Sequence, residues 1–293
     1  MEYYFAGSLT KADAILPGVS KGIAHMGKPA AAYYPSQLPL THGAEMPYIC
    51  NDPWVAAKAF MELYNTYPAV KEEYDKQKVK VLYAHGVPGT VLGFIKKPVK
   101  TLDDLKGLKI RALGTINQVI AKLGATPVAI SIGEVYGAME RGIMDGYCGV
   151  PLFVAGLQKY YEVAPYLTNP GIGTYVIVPV VFNLDKWNSL PADIRKIMED
   201  LSQETIALEA KWQMEIDNNL AAQWVKGGGT IYRLPAEERA RWKAQVKPET
   251  IWGEWIKELE KKKLPAKQFL DQFVDLVKKY EAQSLYSWPR GLE

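Results

Sequence analysis

Arg111 is the residue best placed to do chemistry in this chain. It closes the alternating run Leu108-Lys109-Ile110-Arg111, and its guanidinium is always charged. The planar fork of donors matches a carboxylate or sulfonate through two parallel hydrogen bonds. An arginine at a strand end also fits a surface or interdomain salt bridge, and the pattern alone leaves both roles open. Other reactive groups are poorly arranged. His25, His42 and His85 show no metal-ligand spacing, and neither do Cys50 and Cys148, so no metal and no cofactor is expected. Cys148 beside Gly149 is the only basis for a rival reading, an α/β enzyme acting on a carboxylate substrate; a buried structural thiol is the commoner role for such a residue. Gly227-Gly228-Gly229 follows a helix pattern and precedes a strand pattern, the reverse of a phosphate loop. Asp103-Asp104 falls in a capping turn, where acids favour the helix dipole without acid/base work.

Arg111 needs neighbours to hold it. In Leu108 to Leu113, Leu108, Ile110 and Ala112 alternate with Lys109 and Arg111, so a strand is predicted with Arg111 on the face opposite Ile110. Before it, Thr101 with Asp104 forms a capping box on a short helix that Gly107 closes. After it come a helix from Ile116 to Leu123, a strand from Pro127 to Ile130, and a second capping-box pattern, Ser131-Ile132-Gly133-Glu134. That box starts a helix to Arg141, and a strand from Ile143 to Tyr147 follows. Strands alternating with helices imply a parallel α/β sheet, which binds ligands at the carboxyl ends of its strands. Arg111 sits near such an end.

The rest of the chain extends the α/β pattern. Glu2 to Ala6 reads as a strand that starts abruptly, as though an upstream strand and helix were missing. Ser8 to Ser20 reads as a helix bent at Pro17, followed by a short strand to Met26 and a proline-punctuated segment carrying Tyr33 and Tyr34. Asp52-Pro53 opens a helix to about Tyr64, and a polar helix precedes the strand Val79 to Ala84. Turn residues His85 to Gly89 suit a crossing between domains as well as an ordinary loop. Tyr175 to Asn183 reads as a buried strand, although Pro179 argues against a central place in a sheet. Pro191 to Lys226 lacks internal glycine, and Ile194, Ile197, Met198, Leu201, Leu208, Trp212, Ile216, Leu220 and Trp224 recur at helical steps. One helix of that length would be roughly 50 Å long and would brace two domains. The tail holds a strand from Thr230 to Arg233 and helices near 236–262 and 266–282.

Composition excludes several classes. The 293 residues, 48% hydrophobic and 11% aromatic, support real cores. A net charge of +3 from 35 basic and 32 acidic residues, with no basic stripe, makes nucleic acid an unsuitable partner. No apolar run approaches the roughly 18 to 20 residues of a membrane span, and no signal-peptide pattern is present. Two cysteines exclude a disulfide-built scaffold and leave open whether they pair.

Taken together, "KPVKTLDDLKGLKIR", "LGATPVAIS" and "EVYGAMERGIMDG", then a strand, "NSLP" and a very long helix, resemble the solute-binding proteins of TRAP transporters, the DctP type. "GSLTKADAILPGVSKGIAHMG" and "YYPSQLPL" fit the family's first part, so the resemblance spans essentially the whole chain. It implies a two-domain, periplasmic-binding-protein-like α/β fold of type II with a long helix spanning both domains. The expected division is 1–88 plus 176–215 for a first lobe and 89–175 plus 216–293 for a second lobe carrying the anion anchor. It further implies a periplasmic protein, with the signal peptide and first strand and helix absent here. Such a protein closes on a small organic acid, hands it to the TRAP permease subunits, and contacts the membrane only through them.

Arg111 matches the arginine of the family's "KIR", which binds the ligand carboxylate. Three positions depart from the family's sialic-acid binders: Val91 replaces a second arginine after Gly89-Thr90, Ile132 replaces a stacking aromatic, and Tyr147-Cys148-Gly149-Val150 lacks an asparagine. Each change removes a polar or shape-specific contact. The ligand expected is therefore smaller or less polar than a sialic acid: an aromatic, branched-chain or 2-oxo acid. Tyr147, Gly149, Phe153, Tyr175, Tyr33 and Tyr34 are candidate walls, and Lys28 is a candidate second positive charge. A metal held between ligand and protein is a further alternative.

Overall fold

The computed structural model describes residues 2–5, 7–87, 91–173 and 176–284. Its strands are β1 (Met26–Gly27), β2 (Val79–Gly86), β3 (Val91–Phe94), β4 (Lys109–Arg111), β5 (Thr126–Val128), β6 (Gly146–Val150), β7 (Tyr166–Asn169), β8 (Ile177–Asn183) and β9 (Thr230–Arg233). The helices are α1 (Ile15–Ser20), α2 (Pro53–Thr66), α3 (Pro68–Lys76), α4 (Ile116–Lys122), α5 (Val135–Glu140), α6 (Leu152–Leu157), α7 (Leu184–Ser189), α8 (Ala192–Lys226), α9 (Ala236–Val246), α10 (Pro248–Lys261) and α11 (Ala266–Glu281).

The strands form two sheets. One runs β1-β8-β2 and is antiparallel; the other runs β5-β4-β6-β3-β7-β9 and is mixed. Around Arg111 the sheet is parallel as expected, since β4 pairs parallel with both β5 and β6. Beyond β6 it turns antiparallel through β3. Pro179 sits in the middle strand of the smaller sheet, opposite Ala84. However, β1 covers only Val181 and Phe182 of β8, so the proline lies where its missing N–H interrupts no second ladder.

Apolar side chains gather in three cores. The first joins α1, α2, α3, β2 and β8; the second lies under β4 and α4, with Trp242 of α9 and Ile251 of α10; the third holds Tyr147, Leu152, Tyr160, Leu167 and Trp224. The long helix reaches from one to another, with Ile206 in the first core and Ala221 and Trp224 in the third. Phe269, Phe273, Val277 and Tyr280 recur at helical spacing, and they bury one face of α11 in the first core. Residues 266–281 therefore pack with the first sheet's core, whereas the sequence division places 216–293 wholly with the second lobe.

Several local expectations change. Residues 2–5 carry no regular structure and are exposed. The helix expected from Ser8 reduces to a 3-10 turn at Ala12–Ala14 and the short α1. The helix expected over 236–262 breaks at Lys247, which takes a left-handed backbone (φ 49°) immediately before Pro248, because proline disfavours helical geometry in the residue preceding it. On α8 the buried face is Ser202, Ile206, Ala210, Gln213, Asp217, Leu220, Ala221 and Trp224. Ile194, Ile197, Leu201, Leu208 and Trp212 are exposed instead. Among the described residues, no helix is long and apolar enough to cross a membrane.

Candidate functional site

Arg111 ends β4 and shares a register position with Tyr147 on β6. Its side chain is 1% exposed. Nε donates to the Ile130 carbonyl at 3.0 Å, and Nη1 donates to the Gly149 carbonyl at 3.1 Å. Among the described residues, no carboxylate pairs with it, and Nη2 has no hydrogen-bond acceptor. A buried guanidinium is ordinarily matched by an acid, because its desolvation is costly. Here the backbone meets only part of its donor capacity.

Local geometry explains how the carbonyls reach it. Opposite β3 the pairing of β6 steps from Val150 against Val91 to Cys148 against Leu92, leaving Gly149 as an extra residue. Gly149 has φ +73°, a left-handed conformation that glycine adopts without penalty, and the bulge turns its carbonyl toward Arg111. On the other side, the turn after β5 is held by three groups. Arg111 takes the Ile130 carbonyl, the Tyr160 hydroxyl donates to the Ile132 carbonyl at 3.2 Å, and the Ile132 N–H donates to the Tyr33 hydroxyl at 3.2 Å. The expected capping box at Ser131 does not form: the turn at Ile132–Glu134 has no side-chain cap from Ser131. The box at Thr101 and Asp104 does form.

The surroundings of Arg111 are aromatic and apolar. Tyr147 and Tyr160 meet edge to face with centroids 5.3 Å apart. Tyr147 packs on Gly93, where an added Cβ would come within 2.1 Å of its ring. Its hydroxyl is buried without a hydrogen-bond partner among the described residues, and burial drives its pKa well above the ordinary tyrosine range. Burial likewise raises the Tyr160 hydroxyl to about 12, with Arg111 opposing. The Cys148 thiol is pushed up to about 12 by burial, which the nearby Arg111 charge only partly offsets.

The structure gathers Arg111, Gly149, Ile132 and Tyr33 through hydrogen bonds, and Tyr147 beside them through the sheet. Val91 is fully buried in the same core as Tyr147. Other candidates lie elsewhere. Tyr34 is buried in the first core, donating to the Ala12 carbonyl at 2.8 Å and accepting from the Leu16 N–H at 3.1 Å. Phe153 packs edge to face on Trp212 of α8. Lys28 is ion-paired with Glu209 of α8. Tyr175 lies outside the described residues. Tyr160 and the Ile130 carbonyl had no sequence signal, since neither belongs to a charged or alternating pattern.

Comparison with known proteins gives a consistent result. A family model described as bacterial extracellular solute-binding protein, family 7 (DctP), matches residues 1–257. The C4-dicarboxylate-binding periplasmic protein DctP of Rhodobacter capsulatus is 28% identical over 262 residues, covering 85% of this chain and 74% of that protein. A monocarboxylate 2-oxoacid-binding periplasmic protein of Nostoc is 29% identical over 237 residues, 78% of this chain and 62% of that one. A Sulfitobacter solute-binding protein is 32% identical over 184 residues, and the chain spans only 54% of its length. Among solved structures, a TRAP solute-binding protein of Rhodoferax ferrireducens with copurified benzoate superposes with TM-score 0.86 at 22% identity, over 93% of this chain and 84% of that one. That likeness shows the fold, the type II periplasmic binding fold.

Proposed function

Because the chain belongs to the bacterial extracellular solute-binding proteins of family 7, the DctP proteins, we propose that it captures a small organic acid with Arg111 as the carboxylate anchor. The observation that carries this is the buried Arg111 guanidinium with no acidic partner among the described residues. A ligand carboxylate supplies the missing charge, docking on the unoccupied Nη2 side of the fork. The ligand we propose is an aromatic, branched-chain or 2-oxo monocarboxylate. In support, the groups around Arg111 are Tyr160, Tyr147 and Ile132 rather than charged side chains, and structural neighbours were solved with benzoate and with 3-hydroxybenzoate.

The working cycle follows from the two sheets. The second sheet presents Arg111, the first sheet's side presents Tyr33 across Ile132, and closure of the two lobes on each other buries the acid. In this reading the first lobe is built on β1, β2 and β8 and includes α11, and the second is built on the six-stranded sheet. Delivery is to a membrane permease of the TRAP type, outside the cytoplasmic membrane, in the periplasm. We read the chain as a binder and not an enzyme: its relatives are solute-binding proteins, and a thiol held near 12 is a poor nucleophile at neutral pH. Lys28 is left out of the ligand site because Glu209 already pairs with it.

A calorimetric screen of organic acids tests the proposal. One or more acids should bind in 1:1 stoichiometry, and Arg111→Ala should lose them; a hit whose affinity survives that substitution would remove Arg111 as the anchor.

A further inference from the structure

The 3-10 turn Ala31–Tyr33 lies across the carboxyl ends of β4 and β5. Two contacts place it there. A Cβ added to Gly114, three residues beyond the end of β4, would lie 3.7 Å from the Ala32 Cβ. The Ile132 N–H, four residues beyond the end of β5, donates to the Tyr33 hydroxyl at 3.2 Å. Arg111 ends β4, and its Nε bonds the Ile130 carbonyl, in the same turn that carries Ile132. Tyr160 ties these pieces together. Its hydroxyl donates to the Ile132 carbonyl at 3.2 Å, and it is close enough to Arg111 and to Tyr33 for both to act on its ionisation. One guanidinium and two phenols therefore surround the stretch 130–132, at the strand ends where such sheets bind ligands.

The neighbouring residue fixes Tyr33 in this position. The Tyr34 N–H donates to the Ala31 carbonyl at 2.8 Å, and the Tyr34 hydroxyl is used twice in the first core, accepting from the Leu16 N–H and donating to the Ala12 carbonyl. Tyr33, whose ring packs against the edge of that core, uses its hydroxyl only once. Its oxygen accepts from Ile132, and among the described residues its own proton has no acceptor. A phenol has one proton to give and two lone pairs to receive with, so the donor function is what remains. An N–H arriving at the oxygen also polarises the O–H and strengthens it as a donor.

We propose that the Tyr33 hydroxyl donates to the second oxygen of the carboxylate held at Arg111, so that the acid's head group is gripped from both sheets. The inference rests on Arg111 being the carboxylate anchor. One carboxylate oxygen takes the Nη2 side of the guanidinium, and the other takes the Tyr33 proton in a charge-assisted hydrogen bond, the stronger class of such bonds. The relay from the Ile132 N–H through the Tyr33 O–H to the carboxylate then joins the second lobe, the first lobe and the ligand. It is complete only when the lobes are closed, so the acid's own head group favours closure.

Benzoate, 3-hydroxybenzoate, phenylacetate and 4-methyl-2-oxopentanoate are the probes, titrated by calorimetry at about pH 6.5, where each is ionised and a phenol is not. The unmodified chain is compared with Tyr33→Phe, with Tyr33→3-fluorotyrosine and with Arg111→Ala. Ring fluorine makes a phenol a stronger donor and a weaker acceptor. An acid that needs Arg111 should bind Tyr33→Phe roughly ten- to a hundredfold more weakly, and should bind the fluorinated chain at least as tightly as the unmodified one. The carboxylate stretch of that acid, labelled with carbon-13 and read by difference infrared spectroscopy at saturation, should shift in both Tyr33 variants. If Tyr33→Phe does not fold, the fluorinated chain, which keeps the hydroxyl, carries the test through the same two readouts. The inference is overturned if Tyr33→Phe binds within about threefold of the unmodified chain, or if the carboxylate stretch does not move. It is equally overturned if fluorine weakens binding, which would mark the Tyr33 oxygen as an acceptor for Ile132 and nothing more. If no acid binds, or binding survives Arg111→Ala, the anchor reading itself fails and this inference falls with it.

Discussion

Glu73 and Arg111 are both charged side chains withdrawn from water, and the fold treats them in opposite ways. Glu73 on α3 is 5% exposed, and both of its carboxylate oxygens are occupied. The N–H of Leu40 donates to one, and the N–H and hydroxyl of Thr41 donate to the other at 3.1 and 3.0 Å. The chain closes that network by itself, so Glu73 ties the proline-rich segment to α3 and has nothing left to offer a ligand. Arg111 is more deeply buried, yet among the described residues backbone carbonyls occupy only two of its nitrogens and no acid neutralises it. A satisfied buried charge is a structural element. An incompletely satisfied one, placed at the carboxyl ends of parallel strands, is what we propose as the site for a ligand's counter-charge.

The largest expected effect divides the two residues by property. Arg111→Ala should abolish acid binding, a loss of about 2 to 4 kcal/mol or more, because it removes the proposed charge partner of the carboxylate in a desolvated position. Its thermal unfolding should change far less than its affinity. Glu73→Ala should do the reverse. Stranding the N–H groups of Leu40 and Thr41 costs about 2 to 4 kcal/mol of folding stability, read by denaturant unfolding, while the affinity of the folded fraction stays within about threefold. Equal losses of stability in both variants would erase the distinction, because Arg111 would then be one more internal strut.

The strand and helix order of the larger sheet was legible in the sequence because Arg111, Ile110 and Gly107 stand at positions where alternation and capping have few alternatives. The hydrogen bonds of Arg111 were not, since they depend on a bulge at Gly149 and on carbonyls supplied by residues 19 and 38 positions away. The buried face of α8 was misread for a related reason. Its apolar residues Ile194, Leu201 and Leu208 face outward, and the packed face uses Ser202, Ala210, Gln213 and Asp217, chosen by the close approach of β2 and α6 and not by hydropathy. Tyr34 shows the same limit: beside Tyr33 it looked equivalent, but adjacent side chains leave the turn in different directions. One reached Ile132 and the other the first core.

Asp217 offers a middle case between the two poles. It is 2% exposed, neither carboxylate oxygen has a hydrogen-bond partner among the described residues, and burial raises its pKa to about 8, with the Phe153 N–H that faces it opposing. Glu73, also raised by burial, titrates at about 7. For an acid whose folded pKa lies above its unfolded value, the folded state holds the proton more tightly. Stability is therefore fully present below about pH 4 and falls as pH rises toward 7 for Glu73 and 8 for Asp217. Melting temperature should accordingly drop between about pH 5 and pH 8.5, and Asp217→Asn should remove much of the slope without changing acid affinity by more than about twofold. A slope unchanged in that variant would mean that Asp217 finds a cation or a donor in solution, moving it toward the Arg111 pole.

The smallest expected effect concerns Cys148, the neighbour of Gly149. Its thiol is fully buried and raised to about 12, so at pH 8 only on the order of one molecule in ten thousand carries a thiolate. Alkylating reagents should leave the folded chain untouched over hours. Cys148→Ala removes a small apolar contact and should cost about 1 kcal/mol of stability, with acid binding altered by less than about twofold. Arg111 contacts the backbone at this position and not the sulfur, so the substitution leaves the anchor's hydrogen bonds intact. Chemical turnover of a bound acid, lost on Cys148→Ala, would reverse the assignment, since the side chain treated as inert packing would then be the reacting group and Arg111 its substrate-orienting partner.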